Sequence, residues 1–270
     1  MKRVTDFSRF KAENNPITMA TCYDAWSARI LAESPVDAVL VGDSVAMVAH
    51  GHPSTVHATT EMMAMHTASV RRGLGERFLV TDIPFPEHRK GVAPAMESVD
   101  RIAKAGADAV KIEGARGHLE TVAHIVESGM PVMGHLGLTP QSVNQFGGYR
   151  VQARRQEEAE RLLEDARLLQ DAGIFALVLE CIPAELAAEV TAQLRIPTIG
   201  IGSGVNCSGQ ILVLQDLLGM NLGFRPKFLR CFAEGAEMMK EGLRRYDEEV
   251  KAGRFPTAEE SFSHGKTARH

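Results

Sequence analysis

Short apolar runs rich in β-branched residues recur along the chain, separated by longer stretches in which apolar residues return every three or four positions. The short runs predict strands over 17–23, 38–42, 77–81, 109–112, 131–135, 175–179 and 197–201, with an eighth, weaker one over 218–222. The longer stretches predict helices over 60–72, 96–105, 157–170, 184–193 and 228–240, and Gly73, Gly106 and Gly173 stand where helix C-caps are expected. Alternation of this kind is the sequence form of repeated βα units with a parallel sheet. Eight units fit a single closed (β/α)8 TIM barrel better than an open doubly wound sheet. Residues 1–12 are mildly amphipathic and predict an N-terminal helix capping the barrel bottom. The catalytic barrel is expected over 1–252, and the tail over 253–270, without apolar periodicity, is expected to be loosely ordered.

Composition narrows the partners. At 270 residues, 44% hydrophobic and 24% charged, the chain can bury one large core without disulfides or a structural metal. A net charge of −4 offers no broad positive field for phosphate backbones or anionic lipid, so neither nucleic acid nor a membrane is expected as a partner. Cys22, Cys181, Cys207 and Cys231 lack C-x-x-C pairing and read as reduced thiols of a cytoplasmic protein. No targeting segment and no long apolar span is expected.

Candidate chemistry lies at the strand ends, because barrel enzymes assemble their sites at the C-terminal face. Asp43, Asp82, Glu113 and Glu180 each end or follow a predicted strand. Taken singly, each could cap a helix or close a turn. Gathered on one rim they repel one another unless they share a proton or a cation. An all-oxygen set without cysteine or histidine pairs suits a hard cation, with Mg2+ the first choice and coordination positions left for a substrate that chelates through two oxygens. Lys111 lies two residues before Glu113, hence on the same strand face. It is either a salt-bridge partner of the rim or a charge for a substrate carboxylate and a developing enolate. His135 could donate to a substrate oxygen or be a satisfied structural histidine. The loop bearing His50, His52 and His57 is a candidate lid, and the glycine run over 200–204 invites either a phosphate or merely close backbone turns.

Motifs in the same places resemble those of the ketopantoate hydroxymethyltransferase family. They are V-G-D-S at 41–44, G-H at 51–52, T-D-I-P-F at 81–85, A-G-A-D-A-V-K-I-E-G at 105–114, G-H-L-G-L-T-P-Q-S-V-N at 134–144, F-G-G-Y at 146–149 and L-V-L-E-C-I-P at 177–183. The resemblance implies that Asp43, Asp82 and Glu113 hold magnesium. It further implies that Ser44, Lys111 and His135, with Asp43 and Asp82, meet the 2-oxo acid, and that Glu180 is the base. It also implies 5,10-methylenetetrahydrofolate as co-substrate and a homodecamer. Ser203 and Ser208 depart from the family's usual G-A-G and acidic residue, and Gln215-Asp216 stands where H-D is common. These departures bear on the folate-side rim or a subunit contact. The competing readings are a magnesium-dependent lyase of the phosphoenolpyruvate mutase and isocitrate lyase type, whose mobile K-x-C-G-H segment is missing from this sequence, and a ligand-binding barrel without turnover.

Overall fold

In the computed structural model, which describes residues 3–142, 150–223 and 225–263, eight parallel strands close into a barrel in sequence order. They are β1 (Ile17–Thr21), β2 (Ala38–Val41), β3 (Phe78–Asp82), β4 (Ala109–Glu113), β5 (Val132–Gly137), β6 (Ala176–Glu180), β7 (Thr198–Ile201) and β8 (Gly209–Leu212). Pairing of β8 with β1, Gly209 opposite Ile17, closes the ring. The helices are α1 (Val4–Ala12), α2 (Ala25–Glu33), α3 (Val45–Val48), α4 (Thr60–Leu74), α5 (Val92–Lys104), α6 (Leu119–Glu127), α7 (Gln156–Asp171), α8 (Ala184–Gln193), α9 (Leu214–Leu217) and α10 (Gly235–Lys251). The expected (β/α)8 barrel is the fold. The F-G-G-Y motif at 146–149 and the last two positions of the 134–144 motif lie outside the described residues.

Side-chain alternation along the strands sets which residues fill the barrel. Ile17, Met19, Leu40, Phe78, Val80, Met133, Val178 and Ile211 form its apolar core. Phe7 of α1 is fully buried in that cluster, its ring edge-on to Phe78 at 5.3 Å and to Phe175 at 5.0 Å. Phe78 begins β3 and Phe175 precedes β6, so α1 closes the end of the barrel where strands start, as the amphipathic pattern predicts. Lys11 fastens it by donating to the carbonyls of Thr191, Leu194 and Ile196 at 2.8–2.9 Å.

Three expectations need correction. The eighth strand is Gly209–Leu212 and not 218–222; a side chain at 209 would meet the Ile17 carbonyl at 2.3 Å, so glycine is what lets the last strand reach the first. Gly73 is not a C-cap but lies inside α4, which ends at Gly75 with φ 66°. A Cβ at 73 would meet the Ala25 carbonyl at 2.4 Å, so this glycine serves the close approach of α2 and α4. The last long helix begins at Gly235 instead of 228, because the Phe232 and Gly235 amides donate to the Leu217 and Leu218 carbonyls and not to an i−4 partner.

The chain divides into two compact units, 1–214 and 215–270. Within the second, α10 exposes Met239, Leu243, Tyr246 and Val250, spaced four, three and four residues apart on one face. Beyond α10, Arg254 pairs with Glu249 at 2.8 Å and Phe255 packs edge-on to Tyr246 at 5.7 Å. No helix among the described residues is long and apolar enough to cross a membrane.

Candidate active site

The same alternation that buries the core carries polar groups inward at the strand ends. Val80, Ala109, Met133 and Val178 face the interior, and two residues further along each strand stand Asp82, Lys111, His135 and Glu180, with Glu113 two beyond Lys111. Register sets Asp82 beside Lys111 and Glu113 beside His135. Asp43 arrives differently, from the turn after β2, where its amide donates to Asp82 Oδ2 at 2.9 Å. All seven predicted site residues, Asp43, Ser44, Asp82, Lys111, Glu113, His135 and Glu180, line one cavity of about 120 Å³ at the C-terminal mouth, walled by apolar Leu40, Val178, Ile201 and Ile211. That is room for about four waters.

Charge explains the contacts. The Lys111 ammonium lies 3.0 Å from Asp82 Oδ1 and 3.8 Å from Glu113 Oε1, so the salt-bridge reading of this lysine holds. Burial alone would lower its pKa, but the carboxylates outweigh it and hold the lysine charged. Burial, with Asp82 and Glu113 nearby, pushes Asp43 well above the usual carboxylate range; burial also raises Asp82 despite Lys111. For Glu113, burial is outweighed by His135, Lys111 and the Gln141 amide, which hold it low. Burial and Lys111 push His135 down, yet its bonds to Glu113 and Glu180 win and raise it to about 9. Nδ1 lies 3.2 Å from Glu113 Oε1 and 3.3 Å from the Lys111 ammonium, and Nε2 lies 3.2 Å from Glu180 Oε2.

Four carboxylates gather at one mouth against the Lys111 ammonium, and burial with mutual repulsion raises Asp43, so the group favours a shared proton or a bound cation. Asp43, Asp82 and Glu113 could supply its oxygen ligands, a hard-cation set. Among the described residues no three such side chains are already drawn around a common centre, since Lys111 stands between them.

Two participants escaped sequence reasoning. Tyr23, 2% exposed, shares a 2.8 Å hydrogen bond between its hydroxyl and Ser44 Oγ. Gln141 donates from Nε2 to Asp43 Oδ2 at 2.8 Å, and its amide donates to Glu113 Oε2 at 3.0 Å. Gln141 stands within a quoted motif, but its partner lies 98 residues away and no local spacing reveals it. The candidate-lid histidines do not line the cavity: His50 Nε2 meets Nε2 of His66 in α4 at 2.8 Å, and His52 stacks on His57 at 4.9 Å. At 200–204 the close-turn reading accounts for the glycines, since Gly204 has φ 82° and a Cβ there would strike Ala184 at 2.5 Å. Ser203 and Ser208 knit strand ends together, Ser203 Oγ donating to the Leu179 carbonyl at 2.8 Å and Ser208 exchanging hydrogen bonds with Thr198 at 3.2 Å.

The family model for ketopantoate hydroxymethyltransferase matches residues 1–258. The chain belongs to this family. It is 53% identical over 263 residues to a 3-methyl-2-oxobutanoate hydroxymethyltransferase of Bdellovibrio bacteriovorus, covering 97% of this chain and all of that one. It is 51% identical to the one from Legionella pneumophila, covering 96% of this chain and all of the relative. Among solved structures it is similar to phosphonopyruvate hydrolase in complex with oxalate and Mg2+, with TM-score 0.62, 9% identity and 96% and 93% of the two chains covered. A 2,3-dimethylmalate lyase of the phosphoenolpyruvate mutase/isocitrate lyase superfamily matches with TM-score 0.57 at 15% identity, covering 98% and 93%. At such identities these likenesses speak for the barrel, while membership of the hydroxymethyltransferase family rests on the sequence matches.

Proposed function

We propose that this protein transfers a hydroxymethyl group from 5,10-methylenetetrahydrofolate to C3 of 3-methyl-2-oxobutanoate, giving 2-dehydropantoate (ketopantoate) for pantothenate synthesis. The observation that carries the reading is the convergence of Asp43, Asp82, Glu113, Lys111, His135 and Glu180 on one small cavity at the barrel mouth. Asp43, Asp82 and Glu113 would hold Mg2+, with Asp43 and Asp82 also bordering the substrate. When bound, a divalent cation supplies Lewis acidity that withdraws charge from a chelated 2-oxo acid and acidifies its C3 hydrogen.

The chain's own residues do the rest. Glu180 ends β6 and faces inward, its Oε2 3.2 Å from His135 Nε2, and its carboxylate would take the C3 proton. Lys111 offers a buried ammonium for the substrate carboxylate and for the negative charge that develops on the enolate oxygen. Ser44, fixed by Tyr23, presents a hydroxyl at the same mouth. His135 faces the substrate and links the base to Glu113 through its two ring nitrogens. Across the reaction, C3 of the enolate bonds to the folate methylene carbon and water supplies the hydroxyl as that carbon's two C–N bonds break, and the C3 proton taken up by Glu180 and one from water go to the two nitrogens of the departing tetrahydrofolate. The apolar wall of Leu40, Val178 and Ile201 suits the branched carbons of the acid and keeps bulk water from the enolate.

The decisive experiment follows exchange of the C3 hydrogen with deuterated water by NMR, with and without Mg2+. Glu180→Gln is expected to slow exchange by ~10²-fold or more while 3-methyl-2-oxobutanoate still binds. Fast exchange in that variant would remove Glu180 as the base, and wild-type protein inert with the acid and Mg2+ would remove the reading. A homo-oligomer, a decamer on the family's pattern, belongs to the same proposal and is supported by the apolar face of α10. So does a cytoplasmic setting, supported by four free cysteines.

A further inference from the structure

Gln141 sits in the short 3-10 turn Pro140–Ser142 after β5, 5% exposed, and does not line the cavity. Its bonds nevertheless run to the ends of three other strands. The side-chain amide donates to Asp43 Oδ2 at 2.8 Å and to the Ile83 carbonyl at 3.1 Å, while the backbone amide donates to Glu113 Oε2 at 3.0 Å. The Ile83 carbonyl can only accept, so turning the amide over would set Oε1 against it. Held this way, Oε1 is buried without a hydrogen-bond partner among the described residues. An unpartnered buried carbonyl costs on the order of 1–3 kcal/mol, which a side chain present only to fill space would have no reason to incur.

We propose that Gln141 is a positioning residue for the divalent cation, tethering Asp43 and Glu113 to one turn although they repel each other. The inference rests on the reading that these two carboxylates hold the ion, and assigns the loop after β5 a part in setting the site's affinity. Outer partners of metal ligands typically matter by about 10–100-fold in affinity, because an untethered carboxylate must be ordered again on binding.

The test is calorimetric titration of metal-free protein with MgCl2, alone and with 3-methyl-2-oxobutanoate, for wild type, Gln141→Met and Gln141→Asn, alongside the melting temperature of each metal-free form. Methionine keeps the length without the donor, and asparagine keeps the donor without the reach. Both are expected to raise the Mg2+ dissociation constant by ~10-fold or more, with the KM for magnesium rising in parallel and kcat largely recovered at saturating metal. A residue that only supports the fold would lower the melting temperature and leave magnesium affinity unchanged; that result in either folded variant overturns the inference alone. Wild-type protein that binds no magnesium in either condition overturns the reading of the site and this inference with it.

Discussion

Lys111 shows how one side chain can serve two states of the same mouth. Its ammonium is the counter-charge of Asp82 and Glu113, at 3.0 and 3.8 Å, and both ends of the contact are buried. Removing one member of such a pair strands the other charges, typically costing about 3–5 kcal/mol. Lys111→Met is therefore expected to lose stability of that order in urea unfolding with EDTA present. Magnesium should restore more stability to the variant than it adds to wild type, since the ion then provides the missing positive charge. An equal magnesium increment in both proteins would mean that Lys111 and the cation do not share the carboxylates.

At the level of elements, the barrel converts a two-residue period into a site. Asp82, Lys111, Glu113, His135 and Glu180 are the inward positions that follow apolar inward positions on β3, β4, β5 and β6, so the strands need only end in the right residues. The helical layer is equally particular where it packs closely. At Gly73, α4 approaches α2 so nearly that a methyl group would lie 2.4 Å from the Ala25 carbonyl. Helix propensity favours Gly73→Ala by about 1 kcal/mol, but overpacking against backbone costs about 1–3 kcal/mol. The variant is expected to show a lower chemical-denaturation midpoint with an unchanged slope; a gain in stability would show that the helices can part without cost.

For the whole molecule, acid should be destabilising through His88 and His118, whose rings meet edge-on at 4.7 Å. Burial, aided by neighbouring positive charge, lowers His88 to about 3 and His118 to about 4. Unfolded, such rings take up a proton near pH 6.5. The unfolded chain therefore binds more protons from about pH 6.5 down to the folded values, and stability is lost as pH falls through that window, by up to about 1.4 kcal/mol per pH unit for one fully shielded ring. Asp43 and Asp82, raised by burial, act with the opposite sign in metal-free protein. The contrast with His88→Phe isolates the ring: between pH 7 and 5 the variant's melting temperature should fall less steeply than that of wild type. Parallel curves would show that His88 is protonated in the folded state.

The alternation of apolar runs determined the barrel, the capping helix and the chemistry of the strand ends, because side-chain period and strand-end position are local properties of the chain. Gly73 and the eighth strand were misplaced because their roles depend on the Ala25 and Ile17 carbonyls, which no pattern around those positions records. The carboxylates were legible as a group, but Lys111 standing beside Asp82 and Glu113, the contacts of His135 with Glu113 and Glu180, and the bond from Tyr23 to Ser44 were not. Gln141 is the clearest case. Its motif position is visible in the sequence, yet its contact with Asp43 exists only once strands far apart in the chain are closed into one ring. Sequence by itself determined which groups the mouth contains; the tertiary structure decided their distances, and with them how burial and neighbouring charges shift each group's proton affinity.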